Sequence, residues 1–333
     1  MRKKCIIGIT SSAVAAVATL SLYALASCLP EVETSKSRDE LEVVQCRQYA
    51  AKDVPPGNYS GIAHLWGNRY ALVSDKGESG GYYCFEINVD SIGNISSVKH
   101  VGYRKLSEKN LDEEAICYDP DHHNIYIGRE ETSEIVRYDV LNGQCNASVV
   151  VDRYRDFGVH NLTIESLAFD RRRLSVFTIS EGPLRGDNGL MLRLLEYTPN
   201  LNLKHQYTYI LDPPLDDSPV NEEGHVFGVS ELLSLDDGTL LVLEREFKMA
   251  LTGVGSWVVN KIFRIRPGEP GKHFVTGWRT TMGSSDNGLA NYEGMCLGPR
   301  LADGRRVVIL CADSQNRFLG ILQDWFKTIV INP

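Results

Sequence analysis

Apolar and polar residues alternate in short runs along most of the chain, and one kind of run keeps returning. DEEAICYDP (112–120), TIESLAFD (163–170), VSELLSLDD (229–237) and NYEGMCLGP (291–299) each set a glutamate at the start of a strand-like apolar stretch. Aligned on Glu114, Glu165, Glu231 and Glu293, with Ser60 of SGIAHL in the same slot, the stretches form columns. One position on stand Gly61, Ala115, Ser166, Leu232 and Gly294; three on stand Ala63, Cys117, Ala168, Ser234 and Cys296. Between and after them come Ile62, Ile116, Leu167, Leu233 and Met295, then His64, Tyr118, Phe169, Leu235 and Leu297. A strand points alternate residues to opposite faces. One face is therefore mostly small and the other mostly large, as expected of a strand squeezed between neighbouring sheets near a crowded axis.

Each start is followed by a turn and a second apolar run: RYALVSD (69–75), NIYIGRE (124–130), LSVFTISE (174–181), TLLVLERE (239–246) and RRVVILCAD (305–313). Third strands follow in YYCFEINV, EIVRYDV, MLRLLEYT, NKIFRIR and FKTIVI, and fourth strands in SSVKHVGYR, ASVVVDRY, KHQYTYIL and KHFVTGW. The last unit runs out of chain before its fourth strand, while LEVVQCRQY (41–49) belongs to no unit. Four-stranded sheets set radially make a β-propeller. The expected fold is all-β, a propeller of four-stranded blades whose ring is closed by the N-terminal strand. The slot-zero spacings of 54, 51, 66 and 62 residues give five blades, with six as the alternative if one long interval hides a degenerate blade.

The repeated acid now has a geometric meaning. Slot zero is where the innermost strand of each blade emerges at the channel mouth, and four of the five positions are glutamates. Carboxylates gathered so closely repel unless protonated, solvated or bridged by cations. Oxygen-rich surroundings suit a divalent cation, Ca²⁺ first and Mg²⁺ second. Glu114, Glu165, Glu231 and Glu293 are the candidate ligands; acids that cap blade edges or pair with Arg129 and Arg245 are the plainer reading. A second set of acids ends the second strands: Asp75, Glu130, Glu181, Asp313 and either Glu244 or Glu246. Propeller connections alternate between ends, so this set lies on the opposite face, or near slot zero if the strands are short. With Ser60, Lys76, Arg129, Arg245 and Asn316 it would form a ligand-binding rim, an Arg or Lys gripping a phosphate.

The N-terminus reads differently. MRKK is basic, CIIGITSSAVAAVATLSLYAL is apolar, and LASC (25–28) closes it. This is the pattern of a bacterial export signal over residues 1–27, with Cys28 in a lipobox slot where it would be acylated. Residues 28–40 are polar and aperiodic and read as a tether, which leaves 41–333 as one propeller domain. Beyond residue 27 the chain carries 32 basic and 43 acidic residues, a balance that argues against nucleic acid and anionic lipid as partners. Six cysteines remain after Cys5 and Cys28, and 15 full pairings are open to them. Cys117 and Cys296 fall in the small-residue column and read as buried apolar residues.

Other chemistry is scarce. Gly77-Glu78-Ser79-Gly80-Gly81 matches a nucleophile elbow in form, but a strand-like run follows where a helix is required, so it reads as a hairpin tip. His122 and His123 fall in a turn. His160 and His225 precede acidic starts by five and six residues, which would place them on the rim or in solvated loops.

Taken together, SGI (60–62), E-x-[IL] at 114–116 and 165–167, SELLSLDDGTLLVLERE (230–246) and NYEGMCLGPRLADGRRVVILCADSQNRF (291–318) resemble the exported phytase-like family, "esterase-like activity of phytase". The resemblance runs from about residue 55 to the end of the chain. It departs at Ala115 and Ser166, where the family usually has glycine, and at Ala312-Asp313-Ser314-Gln315-Asn316, where it usually reads Ser-Asp-x-Asn-Phe. The resemblance implies a propeller and hydrolysis of an ester or phosphoester. Two functions stand side by side: a membrane-anchored, metal-assisted hydrolase of a small ester, and a non-catalytic cell-surface propeller that binds a small ligand or protein.

Overall fold

The computed structural model describes residues 41–216, 224–250, 253–282, 288–318 and 322–332. The signal segment, Cys28 and the tether lie outside the described residues. The first described strand, β1 (Val43–Ala50), is followed by four complete blades. These are β2 (Tyr59–Trp66) to β5 (Ile95–Lys105), with β3 (Arg69–Ser74) and β4 (Gly81–Val89) between; and β6 (Glu113–Asp119), β7 (Asn124–Arg129), β8 (Glu134–Asp139) and β9 (Cys145–Val150). The third blade is β10 (Ala168–Asp170), β11 (Ser175–Ile179), β12 (Met191–Tyr197) and β13 (Leu203–Ile210). The fourth is β14 (His225–Ser234), β15 (Leu240–Lys248), β16 (Trp257–Ile265) and β17 (His273–Thr281). The fifth holds β18 (Asn291–Arg300), β19 (Arg306–Asp313) and β20 (Trp325–Ile331), and takes β1 as its outer strand.

Closure follows the unpaired ends of the pattern. β1 runs antiparallel to β20 from Val43↔Ile331 to Ala50↔Trp325. Gln48 Nε2 donates to the Tyr292 hydroxyl at 2.9 Å, and Lys327 Nζ to the Cys46 carbonyl at 2.6 Å. The innermost strands β2, β6, β10, β14 and β18 touch in that order, and β18 meets β2. This is a closed five-bladed propeller, so the six-blade alternative falls away. Two expected strands are shorter than their patterns. β10 keeps only Ala168–Asp170 of TIESLAFD. Asp152 and Tyr154 of the run ASVVVDRY belong to a short helix, α1 (Asp152–Phe157), whose buried Tyr154 donates to the Arg193 carbonyl at 2.7 Å.

The core is divided among the seams between blades. Tyr59, Phe85 and Phe326 fill the seam between the last blade and the first; Tyr126, Ile164 and Val176 fill that between the second and third. Each such side chain, fully removed from water, contributes about 1.5–3 kcal/mol. Cys46, Cys117, Cys296 and Cys311 are buried here, and all six described cysteines are free thiols. The small-residue column explains itself at Gly294. A Cβ there would lie 2.9 Å from the Ile62 nitrogen of the next blade and 2.6 Å from Cys311 Sγ.

Candidate active site: a carboxylate mouth

Slot zero is a β-bulge. Tyr59 pairs with Ser74 and Gly61 with Val73, so Ser60 is extra; Glu114 and Glu293 are skipped in the same way. In the third blade Ile164 bridges Ser180 while Ala168 pairs with Phe177, which again leaves one residue over. A bulge re-aims a side chain out of the ladder. Here it turns Glu114, Glu165 and Glu293 into one cavity of about 620 Å³ at the channel mouth. Asp75, Lys76, Glu181, Arg245, Asp313 and Asn316 line the same cavity. The second set of acids therefore shares the slot-zero end. The reason is hairpin geometry: in an antiparallel pair the second strand ends beside the start of the first.

Five expected residues, Ser60, Arg129, Glu231, Glu244 and Glu246, lie elsewhere. In the fourth blade Val229 pairs with Glu244 and Glu231 with Leu243, so the bulge is Ser230 and Glu231 falls one position deeper. Ser230 Oγ donates to the Tyr292 carbonyl at 3.1 Å, and Ser60 Oγ sits 3.5 Å from the Glu113 carbonyl. The two serines thus clip their strands to the next blade and leave the cavity to the glutamates. Glu231 is fully buried on the axis, where its Oε1 accepts the Leu232 and Leu167 amides at 2.9 and 3.3 Å. Inner strands have no further strand to pair with, and this carboxyl satisfies their inward amides. Arg129 turns to Tyr138 (2.5 Å) and Glu134 (3.2 Å). Glu244 accepts from Tyr209 at 2.6 Å and pairs with Lys272. Glu246 accepts the Leu215 amide at 2.8 Å and faces His225, which is buried rather than on the rim. Glu244 and Glu246 share one face of β15, so it is Arg245 between them that reaches the axis.

Arg245 bridges the mouth. Its guanidinium donates to Glu181 at 2.5 Å, to Asn291 Oδ1 at 3.0 Å and to Glu293. Lys76, exposed, sits 2.9 Å from Asp75 and 3.0 Å from Asp112. Glu130 Oε1 accepts the Thr163 amide (2.7 Å) and hydroxyl (3.2 Å), tying the second blade to the third. Asp313 caps the left-handed run Gln315-Asn316-Arg317, accepting the Gln315 amide at 2.6 Å. By contrast Glu114 and Glu165, only 8% and 6% exposed, have no hydrogen bond or ion pair among the described residues.

Asp112, Asn58, Asn291 and His160 also stand at this mouth and were not among the ligand residues expected from the repeat, although His160 was placed near the rim. Asp112 lies two residues before the bulge with φ 62°, a conformation that Asp tolerates better than most residues. The Gly77–Gly81 segment is the β3–β4 hairpin tip, and His122 pairs with Asp119 at 2.8 Å in a turn.

Among the described residues, eight carboxylates (Asp75, Asp112, Glu114, Glu130, Glu165, Glu181, Glu293, Asp313) face two cations, Lys76 and Arg245. Two like charges 4 Å apart cost about 4 kcal/mol at an effective dielectric of 20. Burial, followed by this mutual repulsion, pushes Glu114 and Glu165 well above the usual carboxylate range. Burial also raises Glu181 to about 7, with Arg245 opposing. One oxygen each from Asp75, Asp112 and Glu114 lie within 4.8 Å of one another, as do oxygens of Glu114, Glu130 and Glu165. Oxygens bound to Ca²⁺ at 2.3–2.6 Å span comparable separations. The unpartnered, buried Glu114 and Glu165 fit a hard divalent cation.

The fold and the mouth together define a five-bladed β-propeller with a carboxylate-lined channel end. The chain belongs to the phytase-like family, "Esterase-like activity of phytase", whose model matches residues 54–315. No curated protein matches the chain. Among solved structures it is similar to Kuenenia stuttgartiensis hydrazine synthase (TM-score 0.39, 9% identity, covering 82% of this chain and 81% of that one). It is also similar to Myxococcus xanthus glutaminyl cyclase (0.44, 11%, 87% and 96%) and to the Myceliophteria thermophila Cps50 (Swd1) β-propeller domain (0.38, 8%, 85% and 99%). With TM-scores below 0.5, these likenesses say nothing of this chain's chemistry.

Proposed function

We propose that this chain is a divalent-cation-dependent hydrolase of a small ester or phosphoester, working at the acidic channel mouth. The observation that carries the reading is the pair Glu114 and Glu165, buried, unpartnered and turned by matching bulges into one cavity. Family membership, whose description names an esterase-like activity, supports the reaction class.

Glu114, Glu165 and Glu130, with Asp75 and Asp112, would hold the cation, Ca²⁺ before Mg²⁺. When bound, the ion supplies Lewis acidity toward an ester or phosphoryl oxygen. Arg245 fixes Glu181 and Glu293 so that neither drifts into the ion's place. Glu181, with a pKa of about 7, is matched to proton transfer near neutrality. His160, exposed, lines the same cavity.

The test is hydrolysis of p-nitrophenyl acetate and p-nitrophenyl phosphate by chelator-treated protein resupplied with Ca²⁺ or Mg²⁺. Turnover of one ester should disappear with chelator and return with one ion. Glu165→Gln should lower kcat/KM by roughly a hundredfold, the scale of losing a group that positions a Lewis acid. Ion binding without turnover of either ester would overturn the hydrolase reading and leave a binding propeller.

A further inference from the structure

The channel has a second end. Opposite the acidic mouth, past Glu231, lies a cavity of about 380 Å³. Its inner collar takes one apolar side chain from each blade: Ile62, Ile116, Leu167, Leu232 and Met295. Tyr118 and Phe169 widen it with aromatic faces, and Arg171, Arg172 and Arg306 stand at its rim. These charges are not equally spent. Arg171 is held by Asp121 at 2.5 Å, and the lining acid Asp236 is held by Arg300 at 2.6 Å. Among the described residues the Arg172 side chain bonds only the Asp237 carbonyl, at 3.1 Å. Arg306 has no hydrogen bond or ion pair among the described residues, and its half-buried side chain includes a fully buried Nε without a partner. Tyr70, fully buried beside it, also carries a hydroxyl with no partner.

A buried N–H donor left unmade costs about 1–3 kcal/mol. A guanidinium over an apolar cavity of this size is the arrangement expected of a small-molecule site with one orienting polar group. Behind the collar, Glu231 accepts the amides of Leu167 and Leu232, two of its five members.

We propose that this second cavity binds a small amphipathic anion, with its apolar body inside the five-residue collar and its head on Arg306 and Arg172. A carboxylate and a phosphate monoester head share this chemistry. The site is separate from the acidic mouth and does not depend on the reaction assigned there.

Isothermal titration of the purified full chain with octanoate, octyl phosphate, octylammonium and acetate tests it. At least one of the two octyl anions should bind, the tighter one naming the head group, and octylammonium and acetate should bind at least about tenfold more weakly. Arg306→Gln should weaken the anion about tenfold, the scale of one charge-assisted hydrogen bond, whereas Arg306→Lys should retain most of the affinity. Should Arg306→Gln fail to fold, Arg172→Gln at an exposed position carries the same expectation. Glu165→Gln at the other mouth should leave anion binding unchanged. The proposal is overturned if neither anion binds at millimolar concentration, if octylammonium binds as well as octanoate, or if both arginine variants keep wild-type affinity.

Discussion

Glu114 and Glu165 occupy positions that no carboxylate holds comfortably without a proton or a cation. Their raised pKa values set the sign of the pH dependence. A carboxyl whose folded pKa exceeds its unfolded value binds protons more tightly in the native state, so it stabilises at low pH. That contribution is fully present below the ordinary carboxylate value and is lost as pH rises through the folded value, which is about 7 for Glu181. Burial pushes Glu130, Asp75 and Asp313 in the same direction. Chelated protein should therefore melt a few degrees higher at pH 5 than at pH 8, since about 1 kcal/mol moves a domain of this class by a few degrees. Added Ca²⁺ should raise the melting temperature most at pH 8, where protons no longer compete. Scanning calorimetry at both pH values, with chelator and with Ca²⁺, reads this directly. Ion-free protein that gains stability with rising pH would mean the acids are satisfied by partners within the chain. In Glu165→Gln the ion response should shrink while the fold persists, because the residue sits at a bulge and not in a blade seam.

At the scale of elements, two features carry the ring. The first is β1, whose removal leaves the edge of β20 unpaired. Deleting residues 41–50 should destabilise the whole propeller, and denaturant melts should show a lower midpoint and aggregation. If the truncated chain melts like the full one, closure by β1 is not what holds the ring. The second is the small column one step past the bulge. In Gly294→Val the new atoms would meet the backbone of the neighbouring inner strand and should cost about 2 kcal/mol or more, within the range for overpacking. The repeat made both elements legible, because strand period and blade length are local properties. It misplaced the fourth blade by one residue. VSELLSLDD offers both Ser230 and Glu231 for the slot, and only pairing to β15 decides which is the bulge. A one-residue slip changes the face on which a side chain stands. The same parity separates Arg245, which does stand at the mouth as the sequence suggested, from Glu244 and Glu246, which the sequence set beside it there.

At the scale of the molecule, the axis is polarised: acids gather at one end and unspent arginines at the other. Among the described residues no helix is long and apolar enough to cross a membrane. We propose that the chain is attached to a membrane by acylation of Cys28, after export and cleavage of residues 1–27, on the strength of the LASC pattern. Fractionation and mass spectrometry of Cys28→Ser should find the protein released from the membrane and free of acyl chains. Membrane retention of that variant with an acylated N-terminus would refute the anchor.

The sequence by itself determined the all-β class, the repeating four-stranded units with five preferred over six, the closing strand and the recurrence of an acid at four of five inner-strand starts, because all of these follow from short-range periodicity. It also marked Cys117 and Cys296 as buried, through their column. Tertiary structure alone decided which acids meet. Glu114, Glu165 and Glu293 converge with Asp75, Glu181 and Asp313 because hairpins bring strand starts beside strand ends, and because a ring brings different blades to one axis. Glu231 leaves that group because a bulge one residue earlier turns it onto the axis amides. The bulge rests on register within a hairpin and the meeting of blades on contacts as distant as Arg245 with Glu181, 64 residues apart, and local pattern records neither.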